Sequence, residues 1–164
     1  EIQRADLLPF ANLIDYGLNA IMPAHVVYEQ VDQDLAGFSS FWLQQILRQQ
    51  LKFQGVIFSD DLTMAAAESA GSYSDRAGLA LEAGCDMILV CNNPTAAVEV
   101  LDGLRDYNNP VAQSRLARMH GRGHLQRERL RLHPRYKNAM SHLNRLNAAA
   151  EPALDLNDPT DYLS

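Results

Sequence analysis

The stretch Gly55-Val-Ile-Phe-Ser-Asp-Asp-Leu-Thr-Met64 runs a short apolar strand into two adjacent carboxylates and then into a helix-like segment. A buried strand has no packing use for an unpaired carboxylate at its tip, because taking the charge out of water is costly. Chemistry is one reason to put it there, since an α/β barrel carries its active site at the C-terminal tips of its strands. Capping of the following helix is the other reason. The ten residues by themselves leave both readings open. Strand alternation puts Val56, Phe58 and Asp60 on one face and points Asp61 away from it, free to cap.

Outward from this stretch, strand and helix patterns alternate. Asp6 to Tyr16 has helical spacing, with Leu7, Leu8, Phe10, Ala11, Leu13 and Ile14 apolar and Gly17 as a stop. Asn19 to Pro23 reads as a strand whose tip is Pro23-Ala24-His25. Val26 to Phe38 lacks a clear period and holds several acids, so it reads as a loop. Ser39 or Ser40 is placed to cap a helix through Leu51, with Phe41, Leu43, Ile46 and Leu47 inward. Leu62 to Ala70 and Ser74 to Ala83 read as helices broken at Gly71-Ser72. Met87 to Cys91 reads as a third strand, and Asn93-Pro94 starts a helix through Leu104. Apolar strands separated by amphipathic helices predict a parallel sheet covered by helices, and the pattern alone fits a barrel or a doubly wound sheet equally well.

Ile46-Leu47-Arg48-Gln49-Gln50, followed after four residues by Gly55-Val56-Ile57-Phe58-Ser59-Asp60, closely resembles the nucleophile signature of glycoside hydrolase family 3. The subgroup it resembles is the bacterial β-N-acetylglucosaminidases (β-hexosaminidases) of peptidoglycan recycling. Ala20-Ile21-Met22-Pro23-Ala24-His25 and Ala83-Gly84-Cys85-Asp86-Met87-Ile88-Leu89-Val90 fit in the same order and spacing, so the resemblance runs from about Asp6 to Tyr107. It implies an α/β fold, the C-terminal portion of a (β/α)8 TIM barrel with extra C-terminal helices. Residues 1–110 would be the last three βα units and residues 111–164 a basic helical extension packing on the barrel.

The resemblance implies Asp60 as the catalytic nucleophile, because a retaining glycosidase needs a carboxylate that attacks the anomeric carbon. His25, at the neighbouring strand tip, is a substrate-binding candidate, as a pocket wall or as a hydrogen-bond partner of sugar or nucleophile; a satisfied structural histidine is the competing reading. Met22 is placed as pocket lining or core, and Asn92 as a residue facing the site beside the cap Asn93. The implied reaction is hydrolysis of terminal non-reducing β-linked N-acetylglucosamine from muropeptide-type substrates, in the cytoplasm, without metal or cofactor. The subgroup's Lys-His-Phe-Pro-Gly-His-like motif and its acid/base loop with an Asp and a His do not occur in this sequence. Two-step hydrolysis needs a nucleophile and a proton donor. This chain is therefore expected to hold the nucleophile without the proton donor, to be inactive alone, and to have the N-terminal half of the barrel as its partner. The alternative is an inactive truncated fragment acting as an interaction module.

Bulk properties agree with a piece of a larger enzyme. The chain has 164 residues and opens on Glu1, whereas a complete TIM barrel takes about 200–250 residues or more. No run of about 18 apolar residues suggests a membrane helix, and no basic-then-apolar leader suggests a signal peptide. Residues 1–110 carry five basic and fifteen acidic side chains, a net of −10, while residues 111–164 carry nine and five, a net of +4. The acidic body disfavours nucleic-acid binding. The arginine run Arg115, Arg118, Arg122, Arg127, Arg129, Arg131 and Arg135 has Tyr136 as its lone aromatic neighbour, which reads better as a solvated helix face than as a stacking platform. His120 and His124 have metal-compatible spacing, but Gly121 and Gly123 weaken the helix they would share. Cys85 and Cys91, at opposite ends of one strand, are too far apart to bond each other and read as reduced thiols. Val111 to Ala150 reads as helical with a break near Pro134, and Glu151 to Ser164 as a polar end.

Overall fold

The computed structural model describes residues 5–121 and 127–149. It divides into two compact units, Glu1–His120 and Gly121–Ser164. In chain order the first unit contains α1 (Leu8–Asp15), β1 (Ala20–Ile21), β2 (Val27–Tyr28), β3 (Asp32–Leu35), a π-type helix (Phe41–Gln50), β4 (Val56–Asp61), a 3-10 helix (Ala65–Ala70), α2 (Tyr73–Ala83), β5 (Met87–Leu89), α3 (Pro94–Gly103) and α4 (Pro110–Ala117). The second unit contributes α5 (Arg127–Leu132) and α6 (Pro134–Ala149). No described helix is long and apolar enough to cross a membrane. Glu151 to Ser164, Arg122 and His124 lie outside the described residues, and with His124 the proposed histidine pair.

The helices begin and end where local chemistry demands it. At the C-terminus of α1, Gly17 sits at φ 91°. Its N–H reaches the Ile14 carbonyl at 2.9 Å, and Leu18 N–H reaches that of Leu13 at 3.0 Å. This pair of bonds satisfies carbonyls the helix leaves open. A capping box opens α2: Asp75 N–H donates to Ser72 Oγ at 3.2 Å and Ser72 N–H donates to Asp75 Oδ2 at 3.0 Å. Asn-Pro is used twice. Asn93 Oδ1 accepts from Ala96 N–H at 3.0 Å before Pro94, and Asn109 Oδ1 accepts from Val111 and Ala112 N–H before Pro110. The second of these starts is what the sequence reading missed in beginning the tail at Val111.

Two segments depart from expectation. Val26 to Phe38, expected as a loop, holds the antiparallel pair β2–β3, with Val27 opposite Leu35 and Tyr28 opposite Asp32. Strands of two and four residues are too short for a period of two to show. Phe41–Gln50 is wound as a π-type helix, and Leu51 N–H closes it on the Ile46 carbonyl, five residues back, at 2.9 Å. Its cap is the expected one, Ser39 Oγ accepting from Trp42 N–H at 3.2 Å. Its buried residues Trp42, Leu43, Ile46 and Leu47 repeat every four positions, a spacing that does not separate an α-helix from this looser winding.

The main sheet is parallel, in the order β1-β4-β5, so β4 is central. Ala20 lies opposite Val56 and Ile21 opposite Ile57. Gly55 opens β4 because a Cβ there would collide with the Asn19 carbonyl oxygen and the Phe53 ring. The π-type helix and α2 cover the sheet, burying Leu43, Leu47, Phe53, Ile57, Ala80, Ala83 and Cys85 in one cluster. Ala77, Ala80 and Ala83 give α2 a flat face that lets it approach closely. Burial raises the Cys85 thiol pKa to about 12, leaving it an inert core group.

At the N-terminal end of the sheet, just before β5, Asp86 is buried and fully engaged. Its Oδ2 accepts from Arg48 Nη2 at 2.6 Å and from Ile57 N–H at 2.9 Å, and its Oδ1 accepts from Arg115 Nη1 at 2.8 Å. Arg48 Nη1 also donates to the Phe53 and Gly55 carbonyls at 2.9 and 2.7 Å. Burial outweighs the Asp86 charge and holds the Arg48 guanidinium below its ordinary pKa. Through Arg115, α4 is tied to this network inside the first unit, which runs to His120.

Candidate active site

The opposite, C-terminal end of β4 is built differently. Between Phe58, which pairs with Met87, and Asp61, which pairs with Leu89, β4 advances three residues while β5 advances two. This is a bulge, one extra residue in the central strand. The buried Ser59 hydroxyl fills the gap in the ladder by accepting from Leu89 N–H at 2.9 Å. Regular pairing therefore does not run through Ser59-Asp60-Asp61, where the strand carries one residue more than its neighbour.

The two carboxylates then meet different surroundings. Asp61 Oδ1 accepts from Thr63 N–H and Cys91 N–H, both at 3.0 Å, and Oδ2 accepts from Thr63 Oγ1 at 2.7 Å. Burial pushes its pKa up, but the Thr63 and Cys91 amides and the Thr63 hydroxyl outweigh this and hold it below the ordinary aspartate value. Asp61 is thus an ionised brace joining the tips of β4 and β5. Asp60 is half-buried, and its one hydrogen bond among the described residues is Oδ1 accepting from Asp61 N–H at 2.9 Å. Its other oxygen is uncommitted. An acceptor held by one backbone amide at the tip of a central strand has what a carboxylate nucleophile requires: a fixed base and a free lone pair.

His25 is 7% exposed and lies against the β4 tip. Nε2–H donates to the Asp61 carbonyl at 3.2 Å, which fixes the tautomer because that oxygen only accepts. Its ring packs on Phe38 with centroids 5.0 Å apart. Met22, 48% exposed, lines an apolar cleft of about 410 Å³ with Phe10, Pro23, Tyr28, Trp42 and Leu51. Asp60 is not among the residues that line this cleft. Asn92 is exposed at φ 54°, a left-handed conformation that asparagine tolerates. It directly follows Cys91, whose amide is bonded to Asp61. The structure thus gathers Asp60, Asp61 and His25 at one strand tip, sets Asn92 beside the adjacent tip, and leaves Met22 in the apolar cleft.

Four participants were not foreseen: Ser59, Thr63, the Cys91 amide and Arg76. Asp61-Leu62-Thr63 is legible in hindsight as an Asp whose side chain turns back on the backbone two residues on. Arg76, on α2, is 8% exposed. It donates from Nη1 to the Leu62 carbonyl at 2.7 Å and from Nε to the Gly71 carbonyl at 2.8 Å, with its guanidinium 4.7 Å from the Tyr73 ring centre. Cys91, exposed at the same tip, has its thiol pKa raised by partial burial and by the neighbouring Asp61 and Asp60 charges, so it is not an activated nucleophile. Among the described residues no group of His, Cys, Asp and Glu is arranged to hold a metal ion.

Residues 1–120 match the glycosyl hydrolase family 3 N terminal domain. A beta-hexosaminidase of Thioalkalivibrio sulfidiphilus is 62% identical over 117 residues, covering 71% of this chain and 34% of that protein. A beta-hexosaminidase of Thiobacillus denitrificans is 53% identical over 165 residues, covering 99% and 45%. The crystal structure of NagZ from Neisseria gonorrhoeae in complex with N-trifluoroacetyl-D-glucosamine is similar with a TM-score of 0.68 at 41% identity, over 88% of this chain and 41% of that one. The chain therefore spans less than half the length of these relatives. With a match over most of its length and a carboxylate pair at the tip of its central parallel strand, the chain belongs to glycosyl hydrolase family 3.

Proposed function

We propose that this chain carries the nucleophile of a retaining β-N-acetylhexosaminidase, with Asp60 as the attacking group. The observation that carries the reading is the division of labour at the β4 tip: both Asp61 oxygens are engaged, by three donors, while Asp60 has one oxygen with no donor among the described residues. In the first step Asp60 attacks the anomeric carbon. The glycosidic C–O bond breaks and the leaving oxygen takes a proton from a general acid. Water, deprotonated by the same group, then attacks the anomeric carbon and releases the Asp60 carboxylate. The substrate is terminal β-linked N-acetylglucosamine on a muropeptide-type molecule, in cytoplasmic peptidoglycan recycling; the beta-hexosaminidase names of the relatives and the amino-sugar derivative bound by the gonococcal protein support the sugar class. In this reading the first unit is the C-terminal portion of a (β/α)8 barrel, residues 1–110 are its last three βα units, and chain outside these residues supplies the proton donor. His25 acts from beneath the tip, Asn92 faces the sugar, and Met22 lines the seam toward the rest of the barrel.

The test uses the Thiobacillus denitrificans protein with its matched 45% replaced by this chain. Asp60→Ala should lower turnover of an aryl N-acetylglucosaminide by more than about a thousandfold. A fluoro-sugar that traps the glycosyl-enzyme should label Asp60. Asp61→Asn should keep measurable activity, because one amide oxygen still accepts from the Thr63 and Cys91 N–H groups, both of which bond a single Asp61 oxygen. Label on Asp61 would overturn the assignment.

A second reading, an inactive fragment acting as an interaction module, is favoured by one feature. Phe10, Met22 and Tyr28 are each more than two-fifths exposed around the apolar cleft, beside the unpaired edge of β1. Both readings expect the 164-residue chain alone to self-associate in sedimentation and to leave aryl N-acetylglucosaminides intact. Only the enzyme reading expects turnover in the restored protein.

A further inference from the structure

We infer that His25 and Arg76 form a two-point clamp on consecutive backbone carbonyls, those of Asp61 and Leu62, and thereby set where the Asp60 carboxylate stands. The inference rests on the reading of Asp60 as nucleophile. His25 comes from beyond the tip of β1 and Arg76 from α2, so the turn leaving β4 is gripped by two separately anchored elements. The grips are 3.2 Å from His25 Nε2 to Asp61 O and 2.7 Å from Arg76 Nη1 to Leu62 O.

Both side chains are more buried than their ordinary chemistry favours, at 7% and 8% exposure. Arg76 has no carboxylate partner among the described residues; its donors go to the carbonyls of Leu62 and Gly71, the two ends of the loop that follows Asp60-Asp61. A buried guanidinium spent on two carbonyls closes that loop and neutralises nothing. The His25 ring is likewise given over to one bond: Nδ1 is buried with no partner among the described residues. A buried acceptor left open in this way calls for a reason to hold the ring there, and the Nε2 bond to Asp61 supplies it.

The remaining backbone groups of the turn are fixed as well. Asp61 N–H holds Asp60 Oδ1, Leu62 N–H reaches the Leu89 carbonyl at 3.0 Å, and Thr63 N–H holds Asp61 Oδ1. The Asp61 amide that orients Asp60 therefore belongs to a residue whose own carbonyl His25 holds. Movement of the carbonyl rotates that residue and with it the amide under Asp60. His25 and Arg76 are positioning residues, acting on the sugar only through Asp60.

The same hybrid protein tests this with His25→Ala, Arg76→Met, the double variant, and the conservative His25→Gln and Arg76→Lys. kcat, KM, the rate of fluoro-sugar labelling of Asp60 and the thermal midpoint are measured for each. The two single variants should lower kcat and labelling rate by about 10- to 100-fold, the scale of an ångström misplacement, with KM within about twofold. The double variant should lose less than the product of the single losses, since either release frees the same turn. His25→Gln, which can present an N–H to the same carbonyl, should recover most of kcat; Arg76→Lys, with a single nitrogen for two carbonyls, should not. If the drastic variants do not fold, the conservative pair decides, and full activity in Arg76→Lys overturns the clamp. So does a raised KM at unchanged kcat in His25→Ala, which would mean direct contact with sugar. Turnover lost in Asp60→Ala but kept in the clamp variants overturns the clamp alone. Turnover surviving Asp60→Ala overturns the nucleophile reading and the clamp with it.

Discussion

The two ends of β4 handle aspartate in opposite ways. At the entry, Asp86 beside Ile57 is buried, paired with Arg48 and Arg115, and bonded to the strand's own backbone. At the exit, Asp60 and Asp61 have no cationic side chain within ion-pair distance among the described residues, and backbone amides and a hydroxyl do the work instead. Two guanidinium groups around one carboxylate neutralise it and take it out of chemistry. Amides fix a carboxylate in place but leave it charged and, at Asp60, with a free oxygen. In the proposed reading the entry holds the sheet together and the exit keeps the nucleophile in position, the division between stability and chemistry that the two faces of an α/β barrel follow.

This contrast can be broken most sharply at Asp60 itself, where removing the carboxylate should cost turnover and leave stability almost untouched. At the entry the reverse should hold. Asp86→Ala strands two guanidinium groups, one of them buried, and frees the Ile57 amide, so urea unfolding of the hybrid protein should show a loss of about 3–5 kcal/mol. An equally stable Asp86→Ala would mean that the entry network is no more than surface pairing. Ser59→Ala probes the bulge between them. It leaves the partly buried Leu89 amide without its acceptor and should cost about 1 kcal/mol with a modest fall in kcat. The smallest effect is one of pH. The Asp61 pKa is depressed in the folded state, so its contribution is present above the unfolded value near 3.9 and is lost as pH falls through the folded value. The pH dependence of the urea midpoint should therefore flatten below about pH 4 in Asp61→Asn relative to the parent.

Much of this was legible in the sequence, because local chemistry sets it. Apolar runs marked the three parallel strands, Asn93-Pro94 and Ser39 marked helix starts, and Gly17 marked a stop. The resemblance around Gly55 to Asp60 drew attention to the tip of β4. What escaped depends on partners distant along the chain. A bulge exists only relative to a neighbouring strand, so nothing in Phe58 to Asp61 alone predicts it. Asp86 meets its two arginines from 38 and 29 positions away. His25 was recognised as a candidate, but its burial and its bond to a carbonyl 36 residues on are properties of the packed sheet. Arg76 has no signal of its own in the sequence, since its two partners are backbone carbonyls that carry no sequence signature.

The extra residue in β4 also has a consequence for length. Over the stretch where β5 takes two steps, β4 takes three, so the central strand holds one residue's rise, about 3.3 Å, in reserve as a bend. A chain lacking Ser59 would close the ladder as a flat, regular strand, with Asp60 pulled back toward the sheet by roughly that distance. The site is thus sensitive to counting as well as to chemistry: deleting Ser59 would retract the carboxylate by a full residue's rise, about 3.3 Å, farther than the C–O bond that the proposed nucleophile would form.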